Sequence, residues 1–163
     1  MSKYVHTRME KIVPQERGDG GSYVYTRYPA LPEGSAEHSV AAFYELPPGK
    51  ANYPYHYHLT SEEIFYIISG TGTLKTPEGE REVRAGDLLF FPAGEAGAHK
   101  LTNSSDSEPL VYIDFDTLSD PNVCVYPDSN KVGIYGKDLR KIYRMEDNVD
   151  YYYRENGQRQ DQM

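Results

Sequence analysis

The chain has no tryptophan, one cysteine, and no apolar run long enough to cross a bilayer as a helix. Each absence excludes something. A single thiol, Cys124, cannot form an internal disulfide, which suits a reducing compartment. A membrane-spanning helix needs about 18 or more consecutive apolar residues, and the opening stretch MSKYVHTRMEKIV lacks the apolar centre of a secretion signal. A cytoplasmic location is therefore expected. Positive charge is also scarce: 17 Lys and Arg face 25 Asp and Glu, a formal charge of −8. The densest basic stretch, Lys137-Asp138-Leu139-Arg140-Lys141, is interrupted by an acid. Neither nucleic acid nor an anionic membrane is an expected partner for such a surface. No phosphate-cradling glycine loop, Gly-x-Ser-x-Gly motif or zinc-finger spacing is present.

The 163 residues do include 16 tyrosines and many short β-rich runs punctuated by glycine and proline. Runs such as Val40–Leu46, Ala51–His58, Ile64–Ser69, Gly72–Thr76, Leu88–Phe91 and Leu110–Phe115 alternate with breakers such as Pro47-Pro48-Gly49 and Pro92-Ala93-Gly94. Helical periodicity is almost missing. The expectation is an all-β sandwich or small barrel, one domain with a core of its own. Its parts divide as an N-terminal arm (1–34), a barrel core (35–118), a C-terminal extension packing on the barrel (119–153) and a disordered polar tail (154–163). Gly18-Asp19-Gly20-Gly21 reads as a flexible joint, and Val123–Tyr126 with Lys131–Tyr135 as an extra hairpin around Pro127-Asp128-Ser129-Asn130. The arm and the tyrosine-rich surface suggest a homodimer in which edge strands pair.

His56, Tyr57 and His58 are followed by Glu63, and His99 comes about forty residues later, at the spacing of a second strand pair. Residues two apart on a strand share a face, so His56 and His58 can reach one ion together. Three imidazoles and a carboxylate suit a divalent transition metal, manganese, iron, nickel or zinc, better than calcium or magnesium. Glycines 49 and 70 flank the histidine and glutamate runs, so the two are expected to form one hairpin-like unit.

These residues resemble the two motifs of the cupin superfamily. The first reads Gly49-KANYPY-His56-Tyr57-His58-LTSE-Glu63-IFYIIS-Gly70. The second reads Gly86-DLLFF-Pro92-Ala93-Gly94-EAGA-His99-KLT-Asn103, with a longer gap before the histidine than the commonest form. The resemblance covers about half the chain, Pro48 to Phe115. It implies a double-stranded β-helix (jelly-roll) barrel whose interior gathers His56, His58, Glu63 and His99 around a metal with open positions. The family also implies a metal-dependent activity on a small oxygen-rich molecule: sugar or sugar-phosphate isomerisation, decarboxylation or dioxygen insertion. The alternatives are a non-catalytic cupin that binds a small molecule or a metal, and a module whose metal only staples strands.

Alternation places Phe65, Ile67 and Leu101 inside and turns Tyr53, Tyr55 and Tyr57 away from the pocket. On the last core strand Val111, Ile113 and Phe115 share one face and Tyr112 and Asp114 the other. Apolar residues normally fill the inside, so Asp114 is expected outward; only the opposite orientation makes it a candidate general base. Glu62 reads as a solvated neighbour of the ligand, and Asn103 as a turn or supporting hydrogen-bonding residue. His6 and His38 read as surface residues, and Cys124 as a small buried hydrophobe with no basic neighbour.

Overall fold

The computed structural model describes residues 4–32 and 34–155. Its regular structure is almost entirely strand: β1 (Gln15–Gly18), β2 (Val24–Pro29), β3 (Ser39–Leu46), β4 (Tyr57–His58), β5 (Glu63–Ser69), β6 (Thr71–Thr76), β7 (Gly79–Arg84), β8 (Leu88–Phe91), β9 (Lys100–Asn103), β10 (Leu110–Thr117), β11 (Asn122–Tyr126), β12 (Lys131–Tyr135) and β13 (Arg140–Arg144). The fold is all-β, as the composition and turn spacing imply. No helix among the described residues is long and apolar enough to cross a membrane.

Six strands form the largest sheet in the order β1-β2-β3-β10-β5-β8, and two smaller sheets run β13-β12-β11-β4 and β7-β6-β9. The smaller sheets meet where His56 and His99 exchange backbone hydrogen bonds of 3.1 and 2.9 Å. That bridge is the first structural consequence of the two motifs: it docks the histidine of one beside the histidines of the other. The core fills the space inside, with Leu46, Phe65, Ile67, Leu101, Leu110 and Tyr112 nearly inaccessible.

Strand parity explains much of this. On β5 the burial alternates strictly, with Glu63, Phe65 and Ile67 inward and Ile64, Tyr66 and Ile68 outward. Leu101 and Asn103 face inward on β9, and Glu62 stays exposed. The hairpin Asn122–Tyr126 with Lys131–Tyr135 forms around a short 3-10 turn that ends in left-handed Asn130.

Four expectations fail, each for a physical reason. The histidine and glutamate runs are no hairpin: β4 pairs with β11, while β5 pairs with β10 and β8, so residues 59–62 cross between sheets. The run Ala51–His58 is no continuous strand, because bends at residues 52, 53 and 55 surround Pro54 and alternation is lost there. Gly18–Gly21 is no loose joint but the tight connection of the β1–β2 hairpin, where Asp19 Oδ1 accepts the amides of Gly21 and Tyr23 at 2.7 and 3.1 Å. On β10 the faces are reversed: Leu110, Tyr112 and Asp114 are buried, and Phe115 is exposed. Register enforces this, since Asp114 opposes Phe65 and Asp116 opposes Glu63 on the inward face of β5. Most of the expected polar tail lies outside the described residues; Arg154 and Glu155 sit in a turn.

Candidate metal centre

Glu63 opens β5 facing inward, while β4 and the His56–His99 bridge bring the imidazoles down from the opposite sheet. The donor atoms of His56, His58 and Glu63 lie within 4.8 Å of one another. Glu63 Oε2 is 3.3 Å from His58 Nε2 and 3.4 Å from His99 Nε2. The His56 and His99 rings sit 4.8 Å apart. All four expected residues therefore gather at one place. His6 and His38 are exposed and take no part.

The tautomers follow from the acceptors. His56 Nδ1 lies 2.9 Å from the carbonyl of Pro54, and His99 Nδ1 lies 2.9 Å from the carbonyl of Gly97. A carbonyl only accepts, so both Nδ1 atoms carry hydrogen and both Nε2 atoms present a lone pair. His58 Nδ1 likewise donates to Asn122 Oδ1 at 2.9 Å, while its Nε2 shares a proton with Glu63. His99 Nε2 is buried with no hydrogen-bond partner, an orphan aimed at Glu63.

The longer gap before His99 has a structural answer. Glu95–Gly97 forms a single 3-10 turn that folds back on Pro92, so close that a Cβ on Gly97 would meet the Pro92 carbonyl oxygen at 1.9 Å. The same turn supplies the carbonyl that orients His99. His99 also stacks on Phe91, ring centres 3.6 Å apart, which fixes the imidazole plane.

Burial and charge set the protonation. Burial, helped by neighbouring His99, lowers His56 to about 3. Burial also lowers His99. Burial opposes a charge on His58 too, but the Cys124 sulfur and the Glu63 carboxylate outweigh it and raise His58 to about 11. Burial would lift Glu63; its hydrogen bond to His58 and the surrounding imidazoles hold it at about 2 instead.

A pocket of about 330 Å³ opens over this cluster, lined by Tyr44, Tyr53, Asp114, Asp116, Asn122, Cys124, Tyr126, Tyr135 and Arg140 as well as three of the four ligand candidates. A larger cleft of about 450 Å³ lies beside Arg17, Arg27 and Leu118, but no histidine or carboxylate lines it among the described residues. Chemistry, not volume, marks the site.

Several pocket residues escape sequence reasoning. Tyr53 faces the pocket rather than away from it, with its hydroxyl 3.2 Å from that of Tyr44, because the chain bends before Pro54. Tyr55 does turn outward, beneath Lys75 at 4.3 Å. Cys124 is buried, but it has a basic neighbour after all: its sulfur lies 3.1 Å from His58 Nδ1, because β11 pairs Cys124 with His58. Asn103 is the turn residue expected, bonding Leu46 O and Glu108 O at 2.8 Å each.

Asp114 and Asp116 join Glu63 in a second cluster whose oxygens also lie within 4.8 Å of one another. The Oδ1 atoms of both aspartates are buried without a hydrogen-bond partner. Burial and the charge of Asp116 push Asp114 well above the usual carboxylate range, and burial raises Asp116 to about 6. The signal for this pair is the D-x-D spacing on one strand face, which apolar alternation masks.

With fold and site in view, the chain belongs to the cupin superfamily: residues 42–116 match the Cupin domain family. An uncharacterized protein of Methanocaldococcus jannaschii is 31% identical over 101 residues, 62% of this chain and 77% of that protein. The oxalate-binding protein of Thermotoga maritima is 33% identical over 69 residues, 42% of this chain; the chain spans 56% of that protein's length. The cupin-superfamily sugar phosphate isomerase of Silicibacter pomeroyi shares the fold with a TM-score of 0.77 at 19% identity, over 86% of this chain and 93% of that one. The family match ends at residue 116, so Asn122, Cys124, Tyr126, Tyr135 and Arg140 come from strands beyond it.

Proposed function

We propose that His56, His58, Glu63 and His99 hold one divalent transition metal, and that the loaded pocket acts on a small oxygen-rich molecule by moving a proton next to a carbonyl. The observation that carries this reading is the approach of the His58 and His99 Nε2 atoms to Glu63 with a His56 donor within 4.8 Å, each ring locked through Nδ1 by a carbonyl or amide oxygen. Locked second nitrogens are what metal-bound imidazoles have in general. The donor set fits a transition metal, since nitrogen donors outnumber oxygen. On His58 the Nε2 proton shared with Glu63 is the one an ion displaces, so loading weakens as pH falls. When bound, such an ion supplies Lewis-acid polarisation of a substrate carbonyl.

The chain's own residues do the rest. Asp114 and Asp116 stand side by side next to Glu63. With one proton between them, the pair takes a proton from the substrate on one oxygen and returns it from another in an isomerisation, or delivers its proton to the carbon that has lost carbon dioxide in a decarboxylation. Tyr44 and Tyr53 line the same pocket, their hydroxyls 3.2 Å apart. This acid pair favours proton-transfer chemistry over dioxygen insertion.

A second reading, a non-catalytic binder of small dicarboxylates, draws support from the similarity to the oxalate-binding protein. Deuterium exchange separates the two. Protein loaded in turn with manganese, nickel, zinc and iron is incubated in D₂O with small hydroxy-ketones, hydroxy-acids and sugar phosphates and followed by NMR. Incorporation of deuterium beside a carbonyl, lost in Asp114→Asn, supports catalysis. A thermal shift with oxalate and no exchange with any substrate supports the binder.

A further inference from the structure

The pocket wall built by β11, β12 and β13 has its own chemistry. Tyr126 stands against His56, ring centres 6.0 Å apart at 24°. Its hydroxyl lies 2.7 Å from that of Tyr135. Tyr135 in turn lies beneath the guanidinium of Arg140, 4.9 Å from the ring centre, and register pairs those two residues across β12 and β13. The line His56–Tyr126–Tyr135–Arg140 thus runs from the floor of the pocket to its rim.

Arg140 is free to bind. It lines the pocket, and no hydrogen bond or ion pair claims its guanidinium among the described residues. A guanidinium held over the Tyr135 ring keeps its N–H donors available, and such a fork suits a carboxylate or phosphate. The tyrosine pair adds a donor: when one hydroxyl donates to the other, the second keeps a proton to give. Arg140 is exposed at the pocket rim, so an anionic group arriving from solvent can reach its guanidinium.

We propose that Arg140 and the Tyr126–Tyr135 hydroxyl pair form an anion subsite, so that the ligand carries a carboxylate or phosphate at one end and its metal-facing oxygens at the other. The inference rests on the metal-centre reading above and names the substrate class of that site. Size sets the limit. A volume of about 330 Å³ holds on the order of ten water-sized groups, which admits a short hydroxy-acid or a small sugar phosphate and excludes an oligosaccharide. Specificity then resides in strands that the matched family segment lacks.

The test uses zinc-loaded full-length protein and calorimetric titration with phosphoglycolate, succinate, oxalate and the neutral polyol erythritol. Wild type is compared with Arg140→Ala and Arg140→Lys, and metal content is measured on every sample. Arg140→Ala is expected to keep its metal and to lose about 10- to 100-fold in affinity for phosphoglycolate, succinate or both, the range for a charged hydrogen bond. Arg140→Lys recovers part of that loss. Oxalate, too short to span floor and rim, changes less than about threefold, the size of a context effect, and erythritol does not change. A loss for phosphoglycolate alone assigns a phosphate subsite, and a loss for succinate alone a carboxylate subsite. Equal affinity of fully loaded wild type and Arg140→Ala for both spanning anions overturns the proposal. Failure of wild type to take up metal defeats the metal-centre reading instead. In that event inorganic phosphate on the metal-free proteins decides: a loss in Arg140→Ala sustains the subsite, and equal binding rejects it.

Discussion

The floor of the pocket and its wall are built on different principles. The floor is three imidazoles and a glutamate; His56, His99 and Glu63 are fixed by backbone carbonyls, ring stacking or strand parity close to them in the sequence, and His58 is oriented by the distant Asn122. The wall is contributed by β10 to β13, and its polar groups are less tied: Asp114 and Asp116 have unpartnered buried oxygens, and Arg140 rests only on a ring. A rigid floor suits a cation that demands fixed geometry, whereas groups with open hydrogen-bonding capacity suit a ligand that comes and goes. The two regions meet at several points: His58 contacts Asn122 and Cys124, His56 faces Tyr126, and Glu63 sits beside Asp114 and Asp116.

Substitutions can break this division, and the largest expected effect is in the wall. Asp114→Asn should lower turnover by about 10²- to 10⁴-fold, the usual contribution of a positioned acid–base group, while metal content stays at the wild-type level; steady-state kinetics beside elemental analysis checks both. Gly97→Ala strikes the floor. A methyl cannot fit 1.9 Å from the Pro92 carbonyl oxygen, so the turn beneath His99 must open, at a cost of about 2–4 kcal/mol, read in a denaturant melt. Asn122→Ala tests the junction: His58 loses the acceptor that orients it, and metal affinity should fall by about 10- to 100-fold in a competition titration with a chelator.

The smallest effect is a pH signature. Asp116 has its folded pKa raised from 3.8 to about 6, so the folded state holds a proton that the unfolded chain has released. The sign follows: this contribution is fully present below pH 4 and is lost as pH rises through about 6. Metal-free Asp116→Asn, which cannot ionise, should match wild type near pH 4 and exceed it above pH 6 by on the order of 1–3 kcal/mol. Thermal melts across that window give the answer. A constant offset at all pH values would mean that ionisation of Asp116 does not govern the difference.

The floor was legible in the sequence because its information is local. His-x-His on one strand face, an inward Glu63 five residues on and a glycine-proline frame around His99 require only strand alternation and the resemblance to the cupin motifs. The wall was not. Cys124 and Asn122 reach His58 through the pairing of β11 with β4, more than sixty residues away in sequence, and no short-range pattern specifies that register. Asp114 was masked for another reason. Val111, Ile113 and Phe115 look like the inward set, yet they face out, because apolar residues are not confined to the interior whereas a buried carboxylate is tolerated only where a site uses it. Tyr53 was misplaced because Pro54 interrupts the alternation on which its orientation was judged.

The central claim is that His56, His58, Glu63 and His99 are ligands of a single ion, and elemental analysis tests it most directly. Protein purified without added metal is compared with His99→Ala and with Glu62→Ala, whose side chain is exposed beside the site. About one equivalent of a transition metal in wild type and in Glu62→Ala, with less than a tenth of that in His99→Ala, is the predicted result. Equal metal in all three proteins, or none in any of them even after incubation with manganese, iron, nickel or zinc, would contradict it.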